Sequence, residues 1–211
     1  MTIIPLKPNV LQERINVLHT AARSILSRCR YVSPDDEELL GLMDGIKRLA
    51  HVDPVETRNL DAIALHLQGR KREALAMLPR GVRQAELVRL VVLTNGGMAL
   101  EAQEVYRQHC GPASNEFTDY VNFGYGTGAF SQLAAFTREA IKMNLSNMEV
   151  VPKGDIMAAE AILQSYGVTD EQVGKAMEIA GQIIRSRDMM FVGEAPYFDV
   201  VDMEDELRFV H

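Results

Sequence analysis

The chain has 211 residues, 47% apolar and 24% charged, with aromatics at 6% and no Trp. These are the proportions of an ordinary globular protein with one sizeable core or two small ones, and the Ala-, Leu- and Met-rich mix favours helix because unbranched side chains keep their rotamer freedom there. A net charge of −7 with no basic stripe argues against a nucleic-acid partner, and no apolar run approaches the roughly 18–20 residues that span a bilayer.

The charge is uneven. Residues 1–33 carry five Lys/Arg against one Glu, whereas residues 191–211 carry six Asp/Glu against Arg208 alone. Cys29 and Cys110 stand far apart without a CxxC spacing, which gives neither a disulfide framework nor a zinc site. The opening MTIIPLKPNV has Pro5 and no small-residue cleavage site, so it does not read as a signal peptide. A cytoplasmic location is expected.

In chain order, Asn9 is the expected first N-cap, with Gln12 as its capping-box partner. Leu11, Ile15, Leu18, Ala22, Ile25 and Cys29 then form a seam of period 3.5. Such a seam serves a coiled-coil dimer or a helix laid on its own core, and under three heptads favour the core. Ser33-Pro34-Asp35-Asp36 opens the next helix, with Ser33 as cap and Leu39, Leu42, Met43, Ile46 and Leu49 as its stripe. The acidic run 35–38 reads as a charged first turn rather than a metal site. Asp53-Pro54-Val55-Glu56 repeats the start signal, with Glu56 closing a capping box on Asp53.

That helix buries Leu60, Ile63, Ala64 and Leu67 and ends at Gly69; a short helix follows over 70–78, and Pro79 with Gly81 breaks the chain. The next pair starts near Val82, turns at Asn95-Gly96-Gly97 and runs on over 98–109. Placing Gly69 on Gly97 puts Ile63 on Val91, Leu65 on Leu93 and Glu73-Ala74 on Glu101-Ala102, a constant offset of 28 residues. On these residues the stretch 55–109 resembles tetratricopeptide-type helical hairpins, although that family repeats every 34 residues. Short-period hairpins of this kind also resemble small bacterial secretion chaperones.

A third unit is expected from Ser114, with Phe117, Tyr120, Val121 and Phe123 on its first helix, then a glycine turn over Gly124, Gly126 and Gly128. A boundary falls over 145–154, where Ser146, Asn147, Pro152 and Gly154 interrupt the pattern. Beyond it come a helix over 155–166 and another capped by Thr169, with Gln172 at the capping-box position and Val168 and Val173 spaced as a hydrophobic staple. The runs 189–192, 197–201 and 206–210 read as short strands of a small antiparallel sheet. The expected fold is mainly α: stacked antiparallel helical hairpins, a short α-solenoid, over 1–150, with a small α+β domain over 151–211.

A helical-hairpin array offers a concave face to a protein partner. Arg58, His66 and Arg89 lie off the apolar stripes of the first helices and are the expected contacts. Arg70, Lys71 and Arg72 form the strongest basic cluster, fit for an acidic partner segment or for a solvated helix start. The form G-x-G-x-x-A from Gly124 to Ala129, with Glu149 further on, raises a nucleotide- or small-molecule-binding alternative, but TDYVNF before it is a poor buried strand. No zinc-protease, nucleophile-elbow or P-loop pattern is present, so no cofactor and no metal are predicted. The preferred function is a non-enzymatic interaction scaffold or chaperone-like adaptor. A third reading is self-assembly, as a homodimer through the N-terminal seam or the last strand's edge.

Overall fold

In the computed structural model, α1 (Pro8–Leu26) buries Ile15, Leu18, Ala22 and Ile25 against α2 (Glu37–Leu49) and α3 (Pro54–Leu67). The structure describes residues 8–112, 117–146, 148–191, 197–201 and 206–210. Of the 3.5-residue seam, Ile15, Leu18, Ala22 and Ile25 thus face the protein's own core, among Leu39, Leu42, Ile46, Leu49, Leu60 and Leu67, with Leu11 partly buried against it, whereas Cys29 lies beyond the end of α1. Asn9 lies inside α1 rather than ahead of it.

The start of α2 differs from expectation. Its cap is Asp36, whose Oδ1 accepts from the N–H groups of Glu38 and Leu39, both at 3.1 Å. Ser33 Oγ accepts only from Asp35 N, at 3.4 Å. Arg28 holds Asp36 and Glu38 at 2.6 and 2.7 Å, which fixes the acidic turn as an ion-paired helix start. At α3, Asp53 caps as expected and accepts from Glu56 N at 2.9 Å. The Glu56 carboxylate does not close the box: it pairs with His19 Nε2 at 2.6 Å and accepts from Asn59 Nδ2 at 3.2 Å.

Three hairpins follow: α3 with α4 (Lys71–Met77), α5 (Arg83–Asn95) with α6 (Ala99–His109), and α7 (Phe117–Thr127) with α8 (Phe130–Lys142). α9 (Lys153–Ser165) packs on α8, and α10 (Asp170–Arg185) on α6 and α8 rather than on α9. All four turns use a left-handed glycine, with φ of 77° at Gly69, 63° at Gly97, 70° at Gly128 and 64° at Gly167 between α9 and α10. The hydrogen bonds repeat as well. Gly69 N donates to His66 O and Arg70 N to Leu65 O; Gly97 N donates to Thr94 O and Met98 N to Leu93 O. This is the Schellman turn, in which the last carbonyls of one helix are satisfied as the chain reverses. The 28-residue offset therefore corresponds to one turn geometry used twice.

The glycine loop expected over 124–128 is helix as far as Thr127, and Gly128 alone makes the turn. Gly124 is a point of close approach, where a Cβ would lie 2.9 Å from both Tyr106 Oη and Leu133 Cδ2. The cap assigned to Ser114 lies outside the described residues.

α10 braces the preceding hairpins. It starts with the expected capping box, Thr169 with Gln172, and Val168 and Val173 share one apolar cluster. α6 and α8 begin at Met98 and Ala129, which provide no capping side chain. α10 supplies the acceptors: Asp170 accepts from Ser131 N at 2.9 Å and Gln132 N at 3.1 Å, and Glu178 from Leu100 N at 3.2 Å. At its far end Arg185 Nη1 donates to Gly96 O at 2.6 Å and Gly97 O at 2.8 Å. Helix starts and ends without local partners are thus satisfied across the interface.

The α10 brace approaches the α5–α6 turn backbone to backbone. A Cβ on Gly181 would lie 2.5 Å from Gly97 O and 2.8 Å from Gly97 Cα. Backbone does not yield as a flexible side chain does, so Gly181→Ala is expected to lower stability by about 1–3 kcal/mol. Gly154→Ala is the control, since a Cβ there meets nothing within 4 Å. It is expected to leave stability unchanged or raise it by up to about 1 kcal/mol. Urea unfolding of both variants checks the contrast; equal effects would contradict the Gly97–Gly181 contact.

After α10 the chain returns to the N-terminal core. Tyr31 N donates to Asp188 O at 3.2 Å, Met190 N to Cys29 O at 3.1 Å and Phe191 N to Asn95 O at 3.0 Å. The run 189–192, expected as a strand of a C-terminal sheet, instead places Met189 in an isolated antiparallel bridge with Arg30. Met190 is buried among α1, α2 and α3 side chains, so apolar burial takes it from the sheet. β1 (Tyr197–Val201) and β2 (Glu206–Val210) pair antiparallel, with Tyr197 opposite Val210 and Val201 opposite Glu206. The chain is mainly helical, and no helix among the described residues is long and apolar enough to cross a membrane.

Candidate functional site

α4, α5 and α6 border a cavity of about 540 Å3. Leu75, Leu78, Leu93 and Val105 supply apolar wall, and the exposed Ala76, Arg80, Glu101, Glu104 and Gln108 contribute to its lining. Glu104 is engaged by Arg107, while Arg80 and Glu101 make no ion pair among the described residues.

Arg89 also lines this cavity, but it does not present a free guanidinium to a partner. It is 3% exposed. Nε donates to Glu86 Oε2 at 2.9 Å, Nη1 to Leu75 O at 3.2 Å and Nη2 to Leu78 O at 2.6 Å. Carbonyls at the end of α4 thereby meet a fixed cation, the favourable sign at a helix C-terminus. Burial pushes the Glu86 carboxyl up, but the Gly81 N–H and the Arg89 charge outweigh it and hold the group below the usual carboxylate range. Arg89 is thus a tie between α4 and α5, which corrects its assignment as a surface contact.

His66 is corrected likewise. It is 1% exposed, and neither ring nitrogen has a hydrogen-bond partner. Its ring meets Tyr31 edge to face, with centroids 6.2 Å apart and planes at 87°. Burial first, and the Lys71 charge second, push its pKa down to about 4. Of the three expected partner contacts, Arg58 alone is exposed.

The basic cluster divides because successive helical residues point in different directions. Arg70 makes a two-pronged pair with Glu73, at 2.8 and 2.6 Å, and Arg72 is exposed. Lys71 turns inward, its Nζ 5.9 Å from the centroid of the Tyr31 ring. Gly124, Gly126 and Gly128 do not form one loop, since two of them lie within α7.

No family model, curated protein or solved structure matches the chain. Among the described residues no three His, Cys, Asp or Glu side chains gather as metal ligands. Sequence reasoning missed Tyr31, Glu86 and Arg185. Glu86 was discoverable, because its spacing of three from Arg89 is that of a helical ion pair. Tyr31 and Arg185 have no local signal, being brought in from a connection and from the end of α10.

Proposed function

We propose that the protein is a non-enzymatic interaction scaffold or chaperone-like adaptor, built from helical hairpins stacked in the tetratricopeptide manner and braced by its C-terminal helices. The cavity between α4, α5 and α6 carries this reading, since it combines an apolar wall with exposed charges of both signs. That combination suits a short peptide segment of a partner protein. An aliphatic side chain enters between Leu75, Leu93 and Val105, a basic residue meets Glu101 and an acidic one meets Arg80. A grooved site of this kind binds through a few apolar anchors, with polar groups setting register.

Ala76 is exposed and lines the cavity, so Ala76→Arg fills the cavity with little cost to the fold. Peptides selected from a random display library on the wild-type chain are expected to share an aliphatic residue flanked by charge. Ala76→Arg is expected to weaken their binding, measured by calorimetry, at least about tenfold. A library yielding no binder, or peptides that bind Ala76→Arg undiminished, would reject this site.

A further inference from the structure

The cavity between α4, α5 and α6 has two unlike ends. Lys71, at the start of α4, packs on the turn that leads into α6, since a Cβ on Gly96 would lie 2.9 Å from its Cδ. The far ends of the two helices converge on one side chain: Glu86 accepts from Gly81 N at 2.8 Å and lies 4.0 Å from His109 Nε2. α4 and α6 therefore run in the same direction, and both pack on α5, which returns beneath them. α4 stops at Met77, two residues before Pro79, whereas α6 runs on for 11 residues and leaves part of the α5 floor uncovered. Glu101, in the first turn of α6, stands at the turn end of this groove, and Arg80, past the end of α4, stands at the other.

Between these ends the charges are already matched. Arg107 and Gln108 hold Glu104, and Arg89 is committed to Glu86 and to the Leu75 and Leu78 carbonyls. Glu101 and Arg80 are exposed and make no ion pair among the described residues. An occupant thus meets apolar wall along the middle, a free carboxylate at one end and a free guanidinium at the other. The walls are helices whose backbone groups are bonded internally, and Arg89 takes two carbonyls at the end of α4. An extended segment would leave its own N–H and C=O groups unpaired against Leu75, Leu93 and Val105. A helix satisfies its own. From Glu101 to Gln108 the α6 face is about 10 Å long at about 1.5 Å per residue, the length of two helical turns.

We infer that the groove receives a short amphipathic helix of a partner protein, laid along α6. A basic residue of that helix faces Glu101, an acidic residue about two turns away faces Arg80, and the aliphatic residues between them lie on Leu75, Leu93 and Val105. The volume of about 540 Å3 takes the aliphatic face of such a helix and leaves its polar face in water. The inference rests on the peptide-binding function proposed for this cavity and adds the conformation and charge spacing of the ligand.

The test uses three fluorescein-labelled synthetic peptides of about fourteen residues, titrated into the full-length protein and followed by anisotropy. The first carries Lys, two Leu and Glu at the helical spacing i, i+3, i+4 and i+7. The second has the same composition with its charges at i and i+3, the separation that covers about 10 Å in an extended chain. The third is the first with a central proline, which breaks the helix. The first is expected to bind at least about tenfold more tightly than the other two. Glu101→Arg, at an exposed position, is expected to weaken the first peptide at least about fivefold and to make a version with Glu at both ends the tighter ligand. Equal binding of the second or third peptide, lost in Ala76→Arg, would overturn the helical ligand and leave the cavity as a peptide site. A charge preference unchanged by Glu101→Arg would overturn the placing of the two ends. No binding of any peptide to the wild type would overturn both the inference and the function on which it rests.

Discussion

Replacing Arg89 with Leu is expected to cost about 3–5 kcal/mol of stability, the usual penalty for removing one partner of a buried ion pair. The side chains of Arg89 and Glu86 are 4% and 1% exposed. Without the guanidinium, Glu86 is a buried carboxylate left with the Gly81 N–H and the His109 imidazole, whose Nε2 lies 4.0 Å away, and the carbonyls of Leu75 and Leu78 lose their donor. For a domain whose stability is of order 5–15 kcal/mol, such a loss unfolds a measurable fraction. Double replacement, Glu86→Met with Arg89→Leu, is expected to recover much of it, because no charge is then left buried alone. Urea midpoints for the wild type and the two variants check both statements. A single variant within about 0.5 kcal/mol of wild type would show that the pair is not buried as described. Loss of partner binding in an Arg89 variant would report unfolding rather than a lost contact, so Ala76 is the sounder probe of the cavity.

Acidification is expected to weaken the fold through His66. Its pKa is pushed down to about 4 in the folded protein, whereas an unfolded chain restores a value near 6.5. The unfolded state therefore takes up a proton first. The contribution of His66 to stability is fully present above about pH 6.5 and falls as pH drops towards about 4, by about 3 kcal/mol in all. Carboxylates such as Glu56 and Glu86, whose pKa values are also lowered, add their own losses at the acid end of that window. His66→Leu isolates the imidazole: the difference between wild-type and variant stability should change across pH 6.5–4 and stay level above pH 7. At pH 7.5 the variant is expected to be as stable as wild type or more so, because two unpartnered ring nitrogens leave the interior. A difference that does not vary with pH would mean that His66 is solvated or paired.

His66 and Arg89 lie off the apolar stripes and are nevertheless buried, for one reason. A single stripe implies one buried face per helix, and α3 and α5 have more than one. α3 places Leu60, Ala64 and Leu67 in the N-terminal core and Ala62 in a second cluster with Ala74, Leu78, Ala85 and Val92. α5 gives Val92 to that second cluster and Leu90 and Leu93 to a third, with Tyr106 and Tyr120. A helix inside a stack is covered on several sides, so a polar residue off the main stripe meets protein instead of water. His66 and Arg89 are two such residues.

The signals that act within one turn of chain were legible from the sequence itself: Asp53 before Pro54, Thr169 with Gln172, the turn glycines Gly69 and Gly97, and the seam of α1. Each is a local choice between backbone conformations, made by a side chain next to the backbone it satisfies. Even these faltered where a distant residue competed, as His19 draws Glu56 from its capping box and Arg28 helps to hold Asp36 as the cap in place of Ser33. The tertiary structure alone decided that Asp170 caps α8, that Arg185 takes the carbonyls of Gly96 and Gly97, and that Met190 enters the N-terminal core. These contacts join residues far apart in the chain and depend on where α10 crosses the hairpins. No local period encodes that crossing, because packing of the whole set of apolar faces determines it.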